Sequence, residues 1–216
     1  KPILGCQFYF RNSDADDLLK CKGRILEPDK LIVLVQNATG YANIMHLMKI
    51  SYLDNPQPNE KPQIKFSDLE KYHEGIIALS GCLAGEIARK LVARDYDGAK
   101  QTALWYNSVF GQGNYYLEMQ NHGLKEQLEI IPMLAKLSEE TGIPLVATND
   151  VHYVKKEDAK TQKVLICIQT NHTIDEETGI EFGTDDFYLK NESEMLELFN
   201  NYPQAVKNTQ IIADRC

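Results

Sequence analysis

The sequence predicts an α/β protein in which helices cover a largely parallel sheet. Short apolar runs alternate with segments of helical periodicity along most of the chain. Continuous apolar runs are typical of strands covered on both faces, and their alternation with helices is typical of βα units. Polar residues follow several runs directly, at the positions where parallel sheets carry their functional loops.

At least five runs have the length and composition of strands, at residues 3–10, 31–35, 75–79, 115–119 and 143–147. The charged segment at 11–29 and the proline-containing segment at 54–65 predict surface loops between them.

Several helices have recognisable ends. Thr39 is predicted to cap a helix, and residues 67–70 have the spacing of a capping box. The first of these helices carries the apolar residues Tyr41, Ile44, Leu47 and Met48 at spacings that place them on one face. A later apolar stripe, which ends at a Thr-Gly stop signal, consists of Leu128, Ile131, Leu134 and Leu137. Further helices are predicted near 156–170, 192–200 and 203–215, around a polar stretch at 171–186.

The composition favours one globular domain, because 43% of the 216 residues are apolar and 25% are charged. No run approaches the ~20 apolar residues of a membrane span, and the first residues do not resemble a signal peptide, so we expect a cytoplasmic protein without membrane contact.

The formal net charge of −8 argues against a surface that wraps nucleic acid by itself. The five cysteines are odd in number and widely spaced, which predicts mostly buried free thiols.

The sharpest local feature is the segment 147–153, which follows an apolar strand and contains Asp150 and His152. Residues two apart in an extended segment point to the same side. A carboxylate oxygen and an imidazole nitrogen aimed together form half of a typical divalent metal site. The alternative is an Asp turn beside a partly buried histidine.

Cys82 also follows a predicted strand, between small residues that would let the backbone approach a ligand. Its thiolate could bind a metal. The alternative is a small buried residue.

His122 precedes a glycine at the end of the fourth run and could line the same strand ends. A solvent-exposed histidine without a role is the alternative.

Glu118 alternates with apolar neighbours, which predicts a side chain that faces water. No phosphate-binding glycine loop, nucleophile elbow or Ser-His-Asp arrangement is present in the sequence, so we assign no catalytic residue.

Several stretches of the sequence together carry a resemblance to a known family. They occur at 1–6, 37–41, 75–86, 116–123, 144–153, 164–170, 187–190, 203–205 and 208–209. In this order they resemble the PHP (polymerase and histidinol phosphatase-like) domain of bacterial replicative DNA polymerase III α subunits, over nearly the whole chain. The resemblance implies a distorted (βα)7 barrel whose N-terminal strands are missing from this chain, so we expect an open sheet edge. It also implies Cys82, Asp150 and His152 as metal ligands, with Zn or Mn as the metal.

Other positions depart from the family pattern. The His-x-His motif of the family lies upstream of Lys1, and Gln7 and Lys30 stand where the family has Glu and His. A neutral amide binds metals weakly, and a fixed positive charge repels them. We expect Gln7, Lys30 and His122 to line the site, with Lys30 at the same end of the sheet as the ligands. A histidine common in the later helix is Gln162 here.

Two hypotheses follow from the resemblance. In the first, residues 1–190 are a structural and docking PHP domain with a degenerate metal site, and 191–216 are a helical exit segment toward the polymerase palm and thumb. Its partners would be the proofreading exonuclease subunit and other polymerase III holoenzyme subunits, and DNA would be bound through the parent DNA-directed polymerase, which uses Mg. In the second, the segment is a metal-dependent 3′ to 5′ exonuclease or phosphoesterase. A stand-alone PHP phosphatase is a distant third.

Overall fold

The computed structural model describes residues 1–10, 28–54, 61–176 and 182–216. Within these ranges, six strands form one open sheet in the order β3-β1-β2-β4-β5-β6. The strands are β1 (Gly5–Phe10), β2 (Asp29–Val35), β3 (Gln63–Ile64), β4 (Ile76–Leu79), β5 (Tyr115–Met119) and β6 (Leu145–Ala147). The five predicted strands are therefore confirmed, and the short β3 is an addition inside the predicted loop at 54–65.

The described helices pack around this sheet. They are α1 (Ala38–Lys49), α2 (Phe66–Lys71), α3 (Glu86–Val92), α4 (Tyr96–Phe110), α5 (Lys125–Thr141), α6 (Ala159–Thr170), α7 (Glu192–Leu198) and α8 (Pro203–Arg215). A π-helical turn, Ile50–Asp54, extends α1, and a 3-10 turn, Lys156–Asp158, precedes α6. None of the described helices is long and apolar enough to cross a lipid bilayer.

Strand β2 runs opposite to the other five strands. It pairs antiparallel with both β1 and β4, whereas β1 with β3, β4 with β5, and β5 with β6 are parallel pairs. Ile32 of β2 lies opposite Gln7 on one side and Leu79 on the other. The largely parallel sheet is thus confirmed with one reversal, which places the amino end of β2 beside the carboxyl end of β4.

The sheet has a core on each face. On one face, strand residues such as Phe10, Leu31 and Tyr115 pack with the helices in the larger cluster. On the other, a smaller cluster is built from strands β4 to β6 and Ile212 of α8. In β2 the alternation is clear, because Leu31 is fully buried and Ile32 only partly. This strand is therefore less covered on its second face than an unbroken apolar run predicts.

Helix α1 begins earlier than the sequence pattern predicts. Asn37, not Thr39, is its N-cap, and the Asn37 side chain accepts a hydrogen bond of 3.0 Å from the Gly40 amide. The apolar face is also narrower than predicted, because Tyr41 is 50% exposed and Met48 is 37% exposed. The buried apolar residues of the helix are Ile44 and Leu47.

Helix α2 also differs at its start. Its N-cap is Lys65, whose amide donates to the Asp68 carboxylate at 2.8 Å. The predicted capping box of Ser67 with Glu70 is therefore wrong, because the cap lies two residues earlier in the sequence. The observed cap has the same physical cause as the predicted one, since a carboxylate in the first turn satisfies an amide that the helix leaves unpaired.

In α5 the buried stripe consists of Ile130, Ile131, Leu134 and Leu137 with Gln127, whereas Leu128 is 50% exposed. Gly142 ends the helix in the left-handed conformation, as the Thr-Gly signal predicts. Among the described cysteines only Cys167 is buried. Cys6, Cys82 and Cys216 are partly exposed free thiols, so the prediction of mostly buried thiols is wrong for three of the four. Cys21, most of the predicted loops and residues 177–181 lie outside the described residues.

Two glycines allow the start of α1 to pack against the segment before β4. A Cβ atom added to Gly40 would overlap the carbonyl oxygen of Gly75. That same carbonyl accepts a hydrogen bond from the Gln36 amide at 2.9 Å, so the backbone there is held in place. Gly75 itself has a φ of +73°, a conformation that favours glycine.

We expect Gly40→Ala to lower the free energy of unfolding by about 2 kcal/mol, because the added methyl group meets backbone rather than a movable side chain. In an ordinary helix the same change is stabilising by ~0.5–1 kcal/mol, so the sign of the effect is the test. Chemical denaturation measures it, with Ala42→Gly in the same helix as a control that should cost about 1 kcal/mol. An alanine variant as stable as the wild type would contradict the close contact.

Candidate functional site

Several of the predicted site residues lie toward one edge of the sheet. Strands β4, β5 and β6 are parallel, so Cys82 after β4, Glu118 in β5 and Asp150 after β6 lie toward the same edge. Because β2 is reversed, Lys30 at its amino end lies there as well, and its amide donates to the Ala84 carbonyl at 3.2 Å. The backbone of Lys30 thus lies at the end of the sheet where the predicted ligands follow their strands, and its role in lining the site stays a prediction.

Asp150 and His152 form a close exposed pair. His152 Nε2 lies 3.5 Å from Asp150 Oδ1, as expected for side chains that point to one side of the segment. Asp150 has a φ of +40°, a left-handed conformation that Asp tolerates better than most residues. The His152 ring lies against Phe182, with centroids 4.5 Å apart, and edge-on to Phe187 at 5.6 Å. Its orientation is therefore set by packing as well as by Asp150.

Asn149 fixes the backbone just before Asp150. Its side chain donates to the carbonyl of Tyr188 and accepts from the Lys190 ammonium, the latter at 3.1 Å. Its own carbonyl accepts from His122 Nε2 at 2.8 Å. Three contacts from two segments, one at Tyr188 and Lys190 and the other at His122, therefore hold the loop that presents Asp150 and His152.

His122 is buried, at 1% exposure, so the alternative of a solvent-exposed histidine is wrong. Its Nε2–H donates to Asn149, and its Nδ1 accepts from the Gln127 side chain at 2.9 Å, which makes the ring neutral with both nitrogens occupied. The ring stacks on Phe187 at 3.9 Å. Burial lowers the pKa of His122, with the nearby Lys190 charge acting in the same direction. His122 supports the loop that carries Asp150 through its hydrogen bond to the Asn149 carbonyl. In this arrangement it has no ring nitrogen free for a metal.

Glu118 is also buried, at 7% exposure, so the prediction that it faces water is wrong. Its Oε1 accepts hydrogen bonds from Thr148 and from Gln120, the latter at 3.2 Å, and its amide donates to Ser80 Oγ at 2.8 Å. Burial raises the pKa of this carboxyl, and the hydrogen bonds from Thr148 and Gln120 oppose the rise. Thr148 lies 30 residues and Ser80 lies 38 residues from Glu118 in the sequence, so alternation within β5 gives no signal of these two partners.

Cys82 is partly buried at the start of the segment after β4. Burial raises the pKa of its thiol, the charges of Asp150 and Glu118 raise it further, and the charge of Lys30 lowers it. The thiol therefore lies within electrostatic reach of both carboxylates. A metal bound here would have to displace the thiol proton.

Gln7 lies in the middle of β1, exposed, and its side-chain amide donates to the Tyr9 hydroxyl at 3.3 Å. Its role in lining the site stays a prediction. Among the described residues, no three His, Cys, Asp or Glu side chains are arranged to hold a metal ion. Asp150 and His152 are a pair of possible ligands, and the assignment of Cys82 as the third also stays a prediction.

Comparison with known sequences identifies the family. The family described as the PHP domain matches residues 1–122, which is more than half of the chain. The chain belongs to the PHP domain family. This identification confirms the resemblance drawn from the sequence, and the open α/β sheet is consistent with the barrel-like fold expected of a PHP domain.

Curated relatives of this PHP domain are named DNA polymerase III subunit alpha. Those of Borreliella burgdorferi and Treponema pallidum are 41% and 40% identical over the whole chain, and the chain covers 18% of each relative. The one from Deinococcus radiodurans is 40% identical over the whole chain, which covers 16% of it. The PHP domain chain thus spans less than a fifth of the length of these relatives.

We expect the stability of the PHP domain to fall as the pH drops below 6.5, the ordinary pKa of histidine. In that range the unfolded chain takes up a proton on His122, whereas the buried ring, whose pKa is lowered, does not. His122→Gln removes this difference, although the variant should be ~2–3 kcal/mol less stable at pH 7.5 because Asn149 and Gln127 lose partners.

Urea denaturation at pH 7.5 and 5.5 measures the loss in each protein. Other groups titrate equally in the wild type and the variant, so the comparison isolates His122. Equal losses in the two proteins would show that the ring is protonated in the fold.

Proposed function

We propose that this PHP domain is a structural and docking module of a bacterial DNA polymerase III α subunit, and that its metal site is degenerate. The parent protein would be a DNA-directed DNA polymerase that acts in chromosome replication in the cytoplasm. The names of the relatives support the assignment to the α subunit. The observation that carries the structural role is the position of Lys30 at the edge of the sheet where the predicted ligands lie.

A fixed ammonium at this edge opposes a cluster of divalent cations. Two like charges of +1 and +2 about 6 Å apart repel by roughly 5 kcal/mol at an effective dielectric constant of about 20. Gln7, in place of a carboxylate, offers no compensating charge. The exposed pair of Asp150 and His152 would then be a remnant of a larger site.

An apolar stripe on α1 and the turn after it supports the docking role. Its members recur at spacings of four, three and four, and all are substantially exposed: Tyr41 at 50%, Met45 at 48%, Met48 at 37% and Tyr52 at 64%. Contiguous exposed apolar side chains often mark protein interaction surfaces, and aromatic residues and Met are enriched there. The proposed partner is the proofreading exonuclease subunit, with other holoenzyme subunits as further partners of the parent protein.

The C-terminal segment is proposed to lead toward the palm and thumb of the polymerase. Helix α8 packs on β6, where the Asn208 side chain donates to the Leu145 carbonyl at 2.7 Å. Arg215, at the end of α8, donates to the Gly113 carbonyl, to the side chain of Asn114 and to the Tyr116 hydroxyl. An exit from α8 would therefore be rigidly attached to the sheet, so that the PHP domain could act as a scaffold.

The second candidate function is a metal-dependent 3′ to 5′ exonuclease or phosphoesterase. The exposed Asp150 and His152 favour it, since a carboxylate and an imidazole at 3.5 Å could share one Zn or Mn ion with Cys82. Such an ion would supply a bound hydroxide as nucleophile. The parent polymerase activity would use Mg independently of this site.

Metal content separates the two candidates. We expect the purified α subunit, after equilibration with Zn or Mn and desalting, to retain well under one equivalent at this site, because Lys30 repels the cation. The double variant Gln7→Glu with Lys30→His restores two ligands and should raise the retained metal towards one equivalent. Elemental analysis measures it.

The control for that experiment is Lys30→Met, which removes the charge without adding a ligand and should raise the metal content by less than the double variant does. To exclude metal bound elsewhere in the α subunit, the content is compared with that of Asp150→Asn. Two or more equivalents in the wild type that Asp150→Asn removes would overturn the degenerate site and favour the exonuclease.

We expect Met45→Glu to weaken the affinity of the α subunit for the proofreading exonuclease subunit at least tenfold, about 1.4 kcal/mol. The carboxylate would be desolvated at an apolar interface. Ala42→Glu adds the same charge to an exposed position beside the stripe and should change the affinity by less than about threefold. Fluorescence anisotropy with a labelled exonuclease subunit measures both affinities. Equal affinities for Met45→Glu and the wild type would place the docking surface elsewhere.

A further inference from the structure

The Glu118 carboxyl is satisfied on one oxygen only. Oε1 accepts from Thr148 and Gln120, whereas Oε2 is fully buried and makes no hydrogen bond of ordinary geometry with the described residues. Gly81 lies close enough for its amide to oppose the rise in the pKa of this carboxyl. A buried oxygen needs a partner in either state, as an acceptor when ionised and as a donor when protonated.

A small cavity lies beside this carboxyl, below the first turns of α5. Its volume of about 10 Å³ is that of a single water-sized sphere. The polar residues among its lining are Cys82, Glu118, Gln120 and Gln127, and apolar residues of α3 and α5 close the rest. A cavity of this size accommodates one water molecule when it offers two to four polar partners, and it is too small for a larger ligand.

We propose that this cavity is a binding site for one structural water molecule, held between Glu118 Oε2 and the side chain of Gln127. The Gln127 amide already donates one hydrogen to His122 Nδ1, and its oxygen accepts from the His122 amide at 2.7 Å. Its second amide hydrogen is the donor available to the water. The water in turn donates to Oε2, and its remaining hydrogen and lone pair can reach Gln120 or the Cys82 sulfur.

The water would connect Glu118 to the loop that carries Asp150 and His152 by a second route. The direct route runs through Thr148, which donates to Glu118 and lies two residues before Asp150. The second runs from the water through Gln127 and His122 to the carbonyl of Asn149. Glu118 is therefore a positioning residue for the loop, and this role goes beyond scaffold and docking because it concerns how the strand ends are ordered.

Crystal structures of the full-length α subunit at about 2 Å or better test the proposal. We expect one solvent peak in the wild type at hydrogen-bond distance from both Glu118 Oε2 and the Gln127 side-chain nitrogen. Glu118→Gln keeps a hydrogen-bonding group at this place and should keep the peak. Glu118→Met has a similar length without hydrogen-bonding groups and should lose it.

Several results would overturn the proposal. They are a cavity without a peak in the wild type, a direct bond from a protein group to Oε2, and a peak that persists in Glu118→Met. Anomalous scattering collected at the Zn and Mn edges distinguishes water from a metal ion, and an anomalous peak in the cavity would replace the water with a cation. The wild type and Glu118→Gln decide the question even if Glu118→Met does not fold.

Discussion

The reversed direction of β2 is the constraint on which the arrangement of the site depends. Because β2 is antiparallel to β4, its first residues lie beside the carboxyl end of β4, and Lys30 is brought to the segment that carries Cys82. In a parallel orientation Lys30 would lie at the opposite end of the strand, roughly 15–20 Å away at ~3.3 Å per residue. A single positive charge can influence this edge only because the strand enters the sheet from that side.

Hydrogen bonds within the protein help to hold the loop after β6. Asn149 is held by Tyr188, Lys190 and His122, and the left-handed Asp150 follows directly from that anchored position. In a site assembled around metal ions, the ions themselves hold the loops together, and their loss would free the loops. Here protein hydrogen bonds contribute to this order, so under the proposal of a degenerate site, with Gln7 and Lys30 in place of ligands, the strand ends would still stay ordered.

The sequence predicts some features of this fold well and cannot predict others. Apolar runs locate the five long strands, because burial of both faces leaves a local signal, and the bounds of α8 follow from Pro203 and the apolar periodicity. The direction of β2 leaves no such signal, since an apolar run has the same composition whether its strand pairs in parallel or antiparallel with its neighbours. Asp150, His152 and Cys82 were found as site candidates because each follows a strand. The burial of Glu118 and His122 was missed because it depends on partners brought by other segments, Thr148 for the first and Asn149 and Phe187 for the second.

The acidic groups at this edge of the sheet are partly neutralised by protons and by Lys30. Cys82 and Glu118 both hold their protons to higher pH than they would in water, since burial raises the pKa of each. Asp150 is exposed and solvated by water, and the Lys30 ammonium offsets part of the remaining negative charge. A divalent ion arriving at Cys82 would have to displace the thiol proton and overcome the Lys30 charge, so its affinity would rise with pH and stay below that of a site rich in carboxylates. Under the proposal of a degenerate site, protons and one lysine would supply the neutralisation that a metal ion supplies in a complete site.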